Sequence, residues 1–362
     1  MRGADQRRRF FPDGGGRSVG GMLLVATDPA FEQHDTGPGH PERARRLEAV
    51  LRGPEAAGLT DAVRQLEPRE ATLAELSRVH PLDYLEALER FCAAGGGDID
   101  GDTRASAGSW RAGKLAAGAG LAAVEALRRG EGDAAFLAVR PPGHHALAAR
   151  PMGFCLINNI AVVAANLAEA GERVLVLDWD AHHGNGTEAI FWDDPRVLYV
   201  SAHQYGSFYP GTGALDDIGG PGARGATLNL PFPAGATGDV YLRALDEVVA
   251  PAVEAFAPTW VLVSAGYDAH RADPLTDLGL SAGDFGDIAR RVAAFAPATG
   301  RLVLFLEGGY DLGALTTSVG ASLAVLLDVP YRPEEATSGG PGAHVIAAAS
   351  EQRARAADIA SG

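Results

Sequence analysis

The chain predicts an α/β fold with a mainly parallel central sheet flanked by helices. Two observations carry this: short β-branched apolar runs with little polar alternation, and Ala-rich helical patterns lying between them. The runs at 22–26, 134–139, 174–178, 197–201, 227–230, 260–265 and 302–307 have the length and composition of strands buried on both faces. The patterns at 113–129, 159–170 and 240–256 read as helices. One domain is expected over residues 22–330. Residues 1–21 are Arg- and Gly-rich and aperiodic, which predicts a disordered extension with Met22 as the true start. The apolar segment after Arg7-Arg8-Arg9-Phe10-Phe11 is too short for an export signal. The Pro-, Gly- and Glu-rich stretch from Pro330 to Gly342 predicts the end of the compact unit, leaving 331–362 as a partly disordered tail.

Among 362 residues, 46% are hydrophobic and 21% charged, which suits a large buried core and excludes wholesale disorder. The 46 Asp+Glu outnumber the 31 Lys+Arg, a net charge of −15. That sign repels phosphate backbones and anionic lipid, so neither direct nucleic-acid binding nor membrane-surface binding is expected, whereas a cationic partner is compatible. Cys92 and Cys155 are the only cysteines and belong to no CxxC, which excludes a disulfide framework and a thiolate zinc site. Both are expected as buried thiols in a cytoplasmic protein. No apolar run approaches the roughly 20 residues that cross a bilayer.

Ligands of open parallel sheets gather beyond the carboxyl ends of the strands, and the residues there are polar in four places. They are Arg140-Pro141-Pro142-Gly143-His144-His145, Asp178-Trp179-Asp180-Ala181-His182-His183, Gly266-Tyr267-Asp268 and Glu307-Gly308-Gly309-Tyr310. Asp180 and His182, two apart in extended chain, point to one side. Joined by Asp268 they make an oxygen, nitrogen, oxygen set suited to catalytic Zn²⁺ and also admitting Fe²⁺, Co²⁺ or Mn²⁺. An isolated Asp-x-His is commonly a cap and a packing residue; four polar strand ends together argue for a site. His144 and His145 form a candidate acid/base pair, with Asp178 and Asn185 as orienting partners. Tyr310 follows two glycines that let its phenol reach a ligand and donate to a developing oxyanion.

The order Pro-Pro-Gly-His-His, Gly153-Phe154-Cys155 with Asn158-Asn159, Asp-Trp-Asp-x-His-His-Gly-Asn-Gly-Thr, Ala-Gly-Tyr-Asp and Glu-Gly-Gly-Tyr resembles the zinc-dependent histone deacetylase superfamily. The likeness spans residues 22–330, from His40-Pro41-Glu42-Arg43 to Tyr310, and is nearest the class II-type branch through Trp179, Asn185 and Glu307. That branch includes bacterial histone deacetylase-like amidohydrolases and acetoin-utilisation proteins. The resemblance implies the arginase/deacetylase-like fold and hydrolysis of the amide of acyl-lysine or of a related acylated small amine, with release of acetate or another short carboxylate. It implies zinc on Asp180, His182 and Asp268, catalysis by His144 and His145 oriented by Asp178 and Asn185, and carbonyl polarisation by Tyr310. Gly153, Phe154 and Tyr209 would line the acyl-lysine tunnel, Asp102 the rim, and Arg43 an internal product channel. K⁺ is implied at Asp178, Asp180, His182 and Ser201, and at the carbonyls of Phe191, Asp194 and Val197.

Two departures bear on substrate. Tyr209 adds a hydroxyl to a tunnel wall that usually lacks one, and Leu275 stands where polyamine-selective relatives can carry a gatekeeping Glu. Acetylpolyamine hydrolysis and a non-catalytic acyl-lysine-binding role are the alternative readings; a homo-oligomer is left open. A binuclear, arginase-like site is disfavoured because Gly184 stands where it would place an Asp.

Overall fold

The computed structural model describes residues 21–361; except for Gly21, the expected N-terminal extension lies outside the described residues. Among the described residues ten strands run β1 (Leu23–Ala26), β2 (Val63–Leu66), β3 (Gly96–Asp98), β4 (Arg104–Ser106), β5 (Ala134–Leu137), β6 (Val174–Asp178), β7 (Val197–Gln204), β8 (Thr227–Phe232), β9 (Trp260–Ala265) and β10 (Leu302–Leu306). Eight of them form one sheet in the order β2-β1-β5-β10-β9-β6-β7-β8. All its pairings are parallel. Each of the seven predicted runs contributes a strand, because the buried strands have no solvent face to supply alternation.

Strand β2 escapes that reading. It lies at the sheet edge, where Arg64, Gln65 and Leu66 are not fully buried. The antiparallel pair β3–β4 flanks the glycine- and aspartate-rich turn and is likewise not visible as an apolar run. The helices Ser109–Arg128 and Asn159–Glu169 pack on each other and on the sheet. Helices Arg45–Ala56, Leu312–Leu326 and Ala282–Ala293 form a second packed group.

The compact unit does not end at residue 330. Glu334 accepts hydrogen bonds from His270 Nε2 (2.7 Å), Arg271 (2.8 Å) and Ala282 N (2.7 Å). Thr337 donates to Asp284 and accepts from Gly238 N. Beyond this strap, the helix Ala343–Ser361 buries Val345, Ile346 and Ala349. The composition of 330–342 reads as linker because its partners are long-range: a carboxylate satisfying a helix N-terminus leaves no local pattern.

Candidate active site

Strands β5, β10, β9 and β6 are neighbours in the sheet, so the four polar strand ends meet along one edge. At that edge, ligand atoms of Asp180, His182 and Asp268 lie within 4.8 Å of one another. His182 Nδ1 is 3.1 Å from Asp180 Oδ1 and 3.0 Å from Asp268 Oδ2. Burial alone would depress the His182 pKa, yet the hydrogen-bonded carboxylates push it up to about 10. Two desolvated carboxylates facing one point therefore select positive charge there, and the donor set fits a divalent cation. The backbone makes room for this: a Cβ on Gly308 would lie 2.1 Å from Asp268 Oδ2, while Gly308 N donates to Asp180 Oδ2 at 2.7 Å.

The two histidines lie beside this trio with opposite electrostatics. His144 Nδ1 donates to Asp178 Oδ2 at 2.9 Å, and His145 Nδ1 to Asn185 Oδ1 at 2.8 Å. Burial works against charge on His144, but Asp178 and then Asp180 override it and push its pKa up to about 10. His145 is held well below the usual range by burial and by the neighbouring His144 and His182 charges. A neutral and a charged imidazole thus sit with ring centres 4.0 Å apart, the separation of roles that acid/base work requires. The turn carrying them is braced: Gly143 N and His144 N donate to Glu307 Oε2, and Asn159 Nδ2 donates to Pro141 O. Asn158 caps its helix and also donates to Ala146 O.

These groups face a cavity of about 280 Å³, whose lining includes Asp102, Gly153, Phe154, Tyr209, Leu275 and Tyr310. Phe154, with φ 67°, packs edge-on against Tyr310, and Tyr209 packs edge-on against His145. Tyr310 is buried, which raises its phenol pKa well above the ordinary value and keeps the proton on oxygen. Ser201 lies beside Asp178 in the strand register, at the same edge as the metal trio. Phe191, Asp194 and Val197 lie instead at the start of β7, the opposite edge of the sheet, where Asp194 N and Val197 N donate to the Phe191 and Asp194 carbonyls.

One expectation needs correction. Arg43 is exposed, whereas Arg46 is fully buried. Arg46 donates to Gly309 O at 2.7 Å and to Glu307 O, pairs with Glu42, and lies 5.0 Å from the Tyr310 ring centre. The cause is helical phase: Arg43 precedes the helix Arg45–Ala56, and Arg46 falls on its buried stripe with Leu47, Ala49 and Val50. Sequence reasoning also passed over Phe208, stacked on His182 at 4.8 Å, and Arg140, locked to Glu42. It passed over Thr103, whose hydroxyl joins the Asp102 carboxylate to the Phe154 N–H. Adjacency to Tyr209, to Asp102 and to the histidine pair's strand end was the available signal for Phe208, Thr103 and Arg140; Arg46 had none beyond helical periodicity.

The parallel sheet thus gathers a carboxylate–imidazole trio, a histidine pair and a phenol at its carboxyl edge, a set of groups suited to hydrolysis. Comparison with known proteins agrees: the histone deacetylase domain matches residues 40–326, and the chain belongs to that family. It is 42% identical over 301 residues to a histone deacetylase-like amidohydrolase of Pseudomonas aeruginosa, covering 81% of this chain and 78% of that one. It is 40% identical over 319 residues to a probable deacetylase of Archaeoglobus fulgidus, covering 84% and 88% respectively. The crystal structure of the HDA15 HD domain superposes with a TM-score of 0.85 at 34% identity, covering 93% of this chain and 98% of that one. No helix among the described residues is long and apolar enough to cross a membrane.

Proposed function

We propose that the protein is a metal-dependent deacylase that hydrolyses acyl-lysine side chains or related acylated amines. The observation that carries this reading is the convergence of His182, a neutral His145 and a protonated Tyr310 on one aromatic-walled cavity, with Asp180 and Asp268 clustered behind His182. Bound at the trio, a divalent cation supplies the positive charge that makes an amide carbonyl electrophilic and water acidic. Zn²⁺ is the cation proposed, with Fe²⁺ or Co²⁺ as substitutes, and K⁺ is proposed at the Asp178 and Ser201 side and near Phe191, Asp194 and Val197.

His145, kept neutral and oriented by Asn185, takes the proton from attacking water. Asp178 orients His144 and keeps positive charge beside the reacting centre. A histidine of the pair returns a proton to the departing amine. The Tyr310 phenol donates to the oxyanion that develops as the carbonyl carbon becomes tetrahedral. Phe154 and Tyr209 flank an uncharged acylated chain, and Asp102 at the mouth accepts substrate N–H groups. Leu275 at the rim offers no charge to a polyamine ammonium, which favours acyl-lysine; buried free Cys92 and Cys155 suit a cytoplasmic setting. Gly184 supports a mononuclear site, since a Cβ there would lie 2.3 Å from Asp178 Oδ2.

The test is an activity screen of metal-loaded protein over acetyl-lysine peptides, acetylpolyamines and longer acyl chains, with a hydroxamate chelator as control. Tyr310→Phe should lower kcat by about 10² to 10³ while metal content stays at the wild-type level. Metal-loaded protein inert on the whole panel refutes the reading.

A further inference from the structure

Between Asp268 and the helix Ala282–Ala293 lies Asp273, only 7% exposed. Its two carboxylate oxygens serve two parts of the cavity. Oδ1 accepts the Leu275 N–H at 3.0 Å; Oδ2 accepts the Tyr310 N–H at 2.6 Å and, more weakly, the Asp311 N–H at 3.4 Å. Leu275 stands on the rim, 38% exposed, and Tyr310 lines the same cavity. A single buried carboxylate therefore joins the mouth to the backbone that carries the phenol.

The position of Tyr310 needs such a brace. Gly309 before it has φ +116°, a region only glycine enters readily, so the chain entering Tyr310 carries little steric restraint of its own. Gly308 is tied through its N–H to Asp180 and through its carbonyl to Tyr267 N, and Gly309 O is tied to Arg46. The Tyr310 N–H is the next polar group along, and Asp273 takes it. The other end of the loop is anchored too: Asp273 N donates to His270 O, and His270 and Arg271 are bound by Glu334.

We propose that Asp273 is a positioning residue for Tyr310, fixing the backbone of the phenol and coupling it to the Leu275 rim. The inference rests on the reading of Tyr310 as the oxyanion donor. Replacing a carboxylate by a carboxamide of the same shape leaves one acceptor oxygen and turns an NH₂ toward either the Tyr310 or the Leu275 N–H. One of the two links breaks while the volume is kept.

The experiment is a double-mutant cycle: Asp273→Asn and Asp273→Ser, each in the wild-type and Tyr310→Phe backgrounds, read as kcat and KM on an acetyl-lysine peptide with metal content and thermal melting measured alongside. In the wild-type background kcat should fall about 10- to 10²-fold, as expected for a reacting group displaced by about 1 Å, with KM and metal content nearly unchanged. In the Tyr310→Phe background the same substitutions should cost less than about twofold, because the phenol they position is gone. Equal proportional losses in both backgrounds, loss of bound metal, unchanged kcat, or failure of both variants to fold would overturn the proposal and leave Asp273 a general structural residue or a neutral one. An active wild type with any of those results refutes this inference alone; a wild type inert on every acylated amine refutes the catalytic reading and this inference with it.

Discussion

Acidification from pH 7.5 to 5.0 is expected to remove about 2 kcal/mol of stability through one imidazole, His80, which lies far from the metal trio in sequence but supports the loop bearing the histidine pair. The His80 ring is fully buried. Its Nδ1 donates to Ala148 O at 2.8 Å, and its Nε2 accepts the Asn158 N–H at 3.0 Å. That pairing demands the neutral ring, because a protonated Nε2 would face a donor. Burial outweighs the Ala148 carbonyl and brings the pKa down from 6.5 to about 4. Since the unfolded chain takes the proton first, the contribution is complete above about pH 6.5 and is lost as pH falls toward about 4. Over the roughly 1.5 pH units between 6.5 and 5.0, at about 1.36 kcal/mol each, the loss is about 2 kcal/mol. The perturbation that isolates it is His80→Gln, whose carboxamide can donate to Ala148 O and accept from Asn158 N without titrating. Denaturant melts of both proteins at pH 7.5 and 5.0 should show the variant losing about 2 kcal/mol less than wild type over that interval. Identical pH dependence in the two proteins refutes the assignment.

The contrast between Arg43 and Arg46 is equally direct. Arg43→Ala, at an exposed site, should leave melting and turnover within error of wild type, whereas Arg46→Met strips a buried cation from Glu42 and should cost about 3–5 kcal/mol in denaturant melts. Glu334→Ala should lower stability by about 1–3 kcal/mol, read by thermal melting, because three donors of the 270–282 segment lose their acceptor together; an unchanged melt would show the strap to be ornamental.

Most of the sheet could be read from the chain because burial on both faces writes itself as uninterrupted apolar runs, and because each run stops where the site begins. Asp178, Asp180, His182 and Asp268 stand out for that reason: polar residues directly after a buried strand are conspicuous. What escaped reading lacks that signature. Edge strand β2 is half polar, β3 is mostly glycine and β4 is a short Arg-Ala-Ser. Arg43 and Arg46 differ only in helical phase, which is uncertain until the helix start is known. Asp273 and Glu334 find their partners 37 and 64 residues away, Tyr310 and His270, so their roles belong to tertiary structure rather than to any local pattern. The 240–256 region was legible as a helix, yet it contains a wide turn at Leu245–Val249 before Pro251, a detail that periodicity smooths over.

The strap at Glu334 also sets an order of events in biosynthesis. Every position of the carboxylate–imidazole trio, the histidine pair and the phenol precedes it in the chain, so a ribosome has already delivered all of these residues before the strap emerges. Until then the 270–282 segment lacks the carboxylate that its three donors bind. The segment from His270 to Ala282 is accordingly expected to settle only after the chain beyond Glu334 has emerged.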